Sequence, residues 1–144
     1  MTDTEFYLTR PVWPDQAEQL KQVREQVFVV EQKVPLDLEW DGRDPEAVHL
    51  LARDRQGRPI GTARLLPGGQ IGRMAVLPGW RRKGVGRALL LGLLRQAAQE
   101  TNCKPFLNAQ TSALSFYQRL GFRPEGEVFM EAGIPHQRMV LADD

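Results

Sequence analysis

The stretch from Gln70 to Ala98, QIGRMAVLPGWRRKGVGRALLLGLLRQAA, constrains this chain more than any other. It opens as a strand, breaks at Pro78-Gly79, passes through a basic turn from Arg81 to Gly86 and continues as a strongly apolar helix. Strand, glycine turn and helix start, in that order, make a cradle for an anion. The first N–H groups of a helix have no intrahelical partner, and the aligned peptide dipoles place partial positive charge there. Gly84 and Gly86 lack Cβ, so a phosphate oxygen can approach their amides closely. Arg81, Arg82, Lys83 and Arg87 add cationic side chains around the same point.

Elimination narrows the ligand. Gly79 and Gly84 have the spacing of a nucleotide-triphosphate loop, but Val85 and Gly86 stand where Lys and Ser or Thr are needed. A dinucleotide fingerprint fails because Leu89 occupies the third glycine position and no acid follows at the ribose-binding distance. The remaining pattern, Arg81-x-x-Gly84-x-Gly86, resembles the pyrophosphate-binding motif of the GCN5-related N-acetyltransferases, the GNAT family. Taken alone it also fits an ordinary basic turn capping a buried helix.

The chain has 144 residues, 42% hydrophobic and 26% charged, which suits one domain spanning residues 1–144. A formal net charge of +1 supplies no global basic field, so no nucleic-acid partner is expected. The start, MTDTEFYLTR, lacks a basic and apolar leader, and no apolar run reaches the roughly 18 residues of a membrane span. A cytoplasmic protein with no membrane partner is the expectation. Cys103, the single cysteine, permits no internal disulfide and is expected to be a small buried apolar side chain; no metal is expected.

In chain order, Phe6–Thr9 reads as a strand, and one amphipathic helix opens near Asp15 with Ala17, Leu20, Val23, Val27 and Val30 on its apolar face. Lys33–Asp44 is an acidic loop or short helical turn. Ala47–Asp54, Pro59–Leu66 and Gln70–Val76 form an antiparallel meander through tight turns. Lys104–Gln110 is a strand, Ser112–Leu120 a helix ending at Gly121, and Phe122–Met130 and His136–Leu141 two closing strands. A helix between the Gln70 and Lys104 strands implies a parallel crossover in an otherwise antiparallel sheet. The expected fold is an α/β sandwich with a mixed, mainly antiparallel central sheet flanked by helices.

A second signature strengthens the resemblance. Phe116-Tyr117-x-x-x-Gly121-Phe122, preceded by Ala109-Gln110 on a strand, resembles the segment that closes the cofactor site in GNAT proteins. VFVVEQ (Val27–Gln32), the Glu39–Asp44 loop and GIPHQRM (Gly133–Met139) are similar to the ElaA-like branch.

The resemblance implies an N-acetyltransferase that passes acetyl from acetyl-CoA directly to an amine of a small molecule or peptide. Coenzyme A would place its pyrophosphate on Arg81, Arg82, Lys83, Gly84, Val85, Gly86 and Arg87, and its pantetheine arm along Met74, Ala75 and Val76, with Asn108 and Gln110 as polar contacts. Tyr117 would protonate the departing thiolate, and a backbone N–H near Met74 to Val76 would meet the carbonyl oxygen. The strand Glu that many relatives carry before the loop is absent. The candidate bases are therefore His136, Glu31, Glu39 and His49, with Glu31, Glu39 and His136 also lining the acceptor side and His49 the better core residue.

Arg24-x-x-x-Phe28, Glu39-x-Asp41-x-x-Asp44 and Arg64 are similar to acyl-homoserine-lactone synthases, which share the fold; alternatively these acids pair with Arg24 or Arg64 to hold their loop. A non-catalytic CoA-binding module is a further alternative. Acyl length, acceptor identity and homodimer formation are left open by the sequence.

Overall fold

The computed structural model describes residues 5–35 and 40–142. β1 (Phe6–Thr9) leads into α1 (Ala17–Arg24), whose Ala17, Leu20 and Val23 are buried at helical spacing. From Glu25 to Glu31 the helix widens into π geometry, closed by Gln32 N–H donating to Val27 O at 3.0 Å. Val27 stays buried, but the wider turn shifts the face, and Val30, expected on the apolar stripe, is 59% exposed.

The meander forms as expected: β2 (Val48–Asp54), β3 (Pro59–Leu65) and β4 (Gln70–Val76) pair antiparallel. α2 (Val85–Glu100) buries Val85, Leu89, Leu90, Leu93 and Ala97 on one sheet face. On the opposite face Val23 and Val27 pack on Ala75 of β4. Layers of helix, sheet and helix thus enclose β2 to β4.

β5 (Phe106–Gln110) follows, then α3 (Leu114–Arg119), introduced by a short 3₁₀ turn and ended at Gly121. The expected strand over Phe122–Met130 is in fact two, β6 (Phe122–Pro124) and β7 (Phe129–Glu131). Pro124 cannot donate to a ladder, and Gly126 turns at φ +83°, so the chain leaves the sheet between them. Both lie along β8 (Ile134–Leu141).

The eight strands run β1-β2-β3-β4-β5-β8-β6, with β7 also on β8, and every pair is antiparallel except β4–β5. Among the described residues no helix is long and apolar enough to cross a membrane. Cys103 is exposed in the α2–β5 connection rather than buried, because the chain there has already left the core.

Candidate active site

The one parallel pair does not stay paired. β4 and β5 join only at Gln70 with Phe106 and Ile71 with Leu107. Beyond these pairs the strands part, and Met74–Val76 and Asn108–Gln110 border a gap. A bulge in β4 accompanies the parting: Gly72 stands opposite Arg64 and Ala75 opposite Thr62, so β4 spends one residue more than β3, and Arg73 takes φ +50°. This bulge carries no sequence signature, since it arises from register against β3. The Val76 carbonyl accepts from Arg81 Nε at 3.0 Å, so that acceptor on β4 is already engaged.

At the foot of the gap the chain turns through Pro78–Trp80 and Arg81–Lys83 into α2. Gly84 is the N-cap residue at φ +88°, a conformation side chains avoid, and a Cβ there would meet nothing within 4 Å. The space above the first amides of α2 is therefore open. Arg82 also turns at φ +63°, and Lys83 Nζ lies 5.5 Å from the Trp80 ring centroid. Gly86 lies against the second signature: a Cβ there would sit 3.4 Å from Phe116 Cζ, so the cradle helix packs beside Phe116. Arg87 is exposed on the first turn of α2. The open N-terminus, its glycine turn and its cations fit a pyrophosphate.

Two residues at the end of the π turn reach both sides of the gap. Glu31 receives a forked pair of hydrogen bonds from Arg81, at 2.7 and 2.6 Å, and Gln110 donates to Gln32 at 2.9 Å. The Arg81 hydrogen bonds hold the Glu31 carboxyl below the usual carboxylate range. A carboxylate committed to a guanidinium and made less basic is poorly suited to taking a proton, which counts against Glu31 as the base. Glu39 lies outside the described residues.

Tyr117 is buried on α3, edge-to-face with Phe116 and Phe122 at centroid distances of 5.0 and 6.2 Å. Burial pushes its phenol up to about 12. His136 pairs with Gln110 across β5–β8, which puts both side chains on the sheet face that Gln32 covers. Its Nδ1 lies 2.7 Å from the Ile134 carbonyl. A carbonyl only accepts, so Nδ1 carries a proton, and in the neutral ring Nε2 is the nitrogen with the free lone pair. Asn108 shares this face by strand alternation.

Asp41 and Asp44 sit in a part-buried ion cluster. Arg24 donates to Asp44 at 2.7 Å, and Arg64 donates to Asp44 at 3.2 Å and to Asp41 at 2.9 and 2.8 Å. Asp41 and Asp44 therefore pair with Arg24 and Arg64, the structural alternative left open by the sequence. Arg73 of the bulge joins them at 3.2 Å from Asp41, a partner the sequence reading missed. Burial alone would raise both carboxyls, but the arginines hold them below the ordinary range. His49, as expected, is a core residue: Nε2 lies 2.9 Å from the Asp44 carbonyl and its ring stacks on Trp13. Burial lowers its proton affinity.

Comparison with known proteins agrees with this geometry. Residues 16–142 match the family model described as an acetyltransferase (GNAT) domain. The sequence is 40% identical over 130 residues to the uncharacterized N-acetyltransferase YjcF of Bacillus subtilis, covering 85% of this chain and 92% of that one. The structure resembles that of an acyl-CoA N-acyltransferase from Pseudomonas aeruginosa, with a TM-score of 0.80 and 32% identity over 96% of this chain and 99% of the other. Escherichia coli ElaA gives the same TM-score of 0.80 at 31% identity, over 94% of this chain and 97% of its own.

Proposed function

This chain belongs to the GNAT family of acetyltransferases, and from that membership we propose that it transfers acetyl from acetyl-CoA directly to an amine, on a small molecule or peptide, without a covalent enzyme intermediate. The observation that carries the proposal is the β4–β5 gap, which opens beside the glycine-turned N-terminus of α2. Acetyl-CoA supplies an activated acetyl thioester when bound.

The chain's own groups have distinct tasks. The amides of Val85, Gly86 and Arg87 and the side chains of Arg81, Arg82 and Lys83 hold the pyrophosphate. The gap side of Met74, Ala75 and Val76 offers main-chain groups to the amides of the pantetheine arm, and Asn108 adds a side-chain contact from β5. A main-chain N–H of the β4 bulge stabilises charge on the carbonyl oxygen. Tyr117, protonated throughout the neutral range, gives its proton to sulfur as the C–S bond breaks. His136 Nε2 takes a proton from the amine.

Thiol release from acetyl-CoA, followed with a panel of amines, tests this reading. Amine-dependent release by the wild type, with Tyr117→Phe losing turnover while binding acetyl-CoA as before, supports it. Binding without release for any amine would instead mark a CoA-binding module that performs no transfer.

A further inference from the structure

We propose that Glu131 and Phe129 complete a subsite that receives the ammonium form of a primary alkylamine and presents it to His136, an inference that rests on the acetyl-transfer reading above. Both residues come to His136 through one tight hairpin. Ala132 and Gly133 turn at φ +52° and +75°, the geometry of a two-residue turn matched to strand twist. Glu131 therefore faces Ile134, and Phe129 faces His136 directly. The sequence signal for this arrangement was available in Ala132-Gly133, read as the turn itself rather than as part of a longer loop.

Three features make the group a receptor for a cation. The Phe129 ring stacks over the imidazole, with centroids 6.0 Å apart and planes within 22°, and an aromatic face attracts positive charge. Glu131 Oε2 lies 3.6 Å from His136 Nε2. In the neutral ring with Nδ1 protonated, Nε2 and Glu131 Oε2 are both acceptors, and both call for a donor. An ammonium has N–H groups for both. Glu131 is also exposed, so the remainder of an acceptor can stay in solvent.

This arrangement addresses the scarcity of the reactive form. An alkylamine near pKa 10 is neutral in only about one molecule per thousand at pH 7, and a site that binds the cation draws on the abundant form. The ammonium nitrogen carries three protons in the reaction. One moves to His136 Nε2, whose new N–H then donates to Glu131. One stays in the amide as the N–C bond forms and the C–S bond breaks. The third replaces the proton that Tyr117 gives to sulfur. Glu131 and Phe129 thus act as positioning residues for His136 and the amine.

The test uses n-butylamine as the probe. Glu131→Gln should raise its KM about tenfold, the worth of one charge-assisted hydrogen bond, and Phe129→Leu should raise it about threefold. KM for acetyl-CoA should stay within about twofold in both, so that loss of fold is told apart from loss of the subsite. The His136 ring resonances supply a readout independent of turnover: n-butylammonium should shift them saturably in the wild type, about tenfold more weakly in Glu131→Gln, and 1-butanol should not. Transfer with an unaltered butylamine KM in both variants overturns the inference and leaves acetyl transfer standing. A saturable shift with no transfer to any amine keeps the ammonium subsite and overturns acetyl transfer. Equal shifts from n-butylammonium and 1-butanol overturn the subsite.

Discussion

Tyr117 and His49 are both buried, and burial moves each in the direction that keeps it uncharged. For Tyr117 the phenol is pushed up to about 12, so between pH 7 and pH 9 it can donate a proton but does not carry negative charge. Tyr117→Phe should lower kcat by about a hundredfold or more, the usual scale of a lost general acid, with acetyl-CoA affinity preserved in a calorimetric titration. For His49 the proton affinity is lowered, so below about pH 6.5 the unfolded chain binds a proton that the native state excludes. Stability should fall as pH drops through that range. Asp41 and Asp44, held low by arginines, add stability above about pH 4 that disappears as they protonate. Melting temperature should therefore be level above pH 7, decline from about pH 6.5 and fall more steeply below about pH 4. Scanning calorimetry checks this, and His49→Gln should remove the first decline while keeping the second. Residue roles of this kind were only partly legible. Tyr117 stands in a recognisable pattern and His136 beside a proline, whereas the commitment of Glu31 to Arg81 links residues fifty positions apart and has no local signature.

At the scale of elements, the end of the π turn bridges the two sides of the gap. Glu31 holds Arg81 below β4 and Gln32 holds Gln110 of β5. The Glu31 carboxylate sits beside the cradle and offsets part of its positive charge. Glu31→Gln removes that charge, so acetyl-CoA affinity should rise about threefold, in keeping with an exposed ion pair; unchanged or weaker binding by calorimetry would mean that Glu31 chiefly orients Arg81. α2 is stabilised differently, by an apolar stripe against the sheet. Leu93 is fully buried in it, and Leu93→Ala should cost about 2–5 kcal/mol in denaturant unfolding. Periodicity showed α2 and the meander because each is set by its own residues and tight turns. The π turn, the β4 bulge and the division of the last hairpin strand into β6 and β7 depend on neighbours across the sheet, which periodicity cannot see.

For the whole molecule, six of the seven strand pairings are antiparallel; what opens the gap is that β4 and β5 run parallel and part after Ile71 and Leu107. The crossover through α2 imposes that direction, and it was legible from the order of elements alone. The same crossover sets the anion cradle beside the gap, while the β7–β8 hairpin presents His136 from the neighbouring strand pair. In the proposed mechanism, cofactor grip and proton acceptance are thus built on separate parts of one sheet. The most direct test is a calorimetric titration of acetyl-CoA into the wild type and into Gly84→Val, with circular dichroism to verify that the variant is folded. Gly84 turns at φ +88°, which a β-branched residue adopts only with strain, so the variant should misplace the α2 amides. The account predicts saturable wild-type binding below about 1 mM, weakened about tenfold or more in the variant. Undetectable wild-type binding at that concentration, or equal binding by a folded variant, would contradict it.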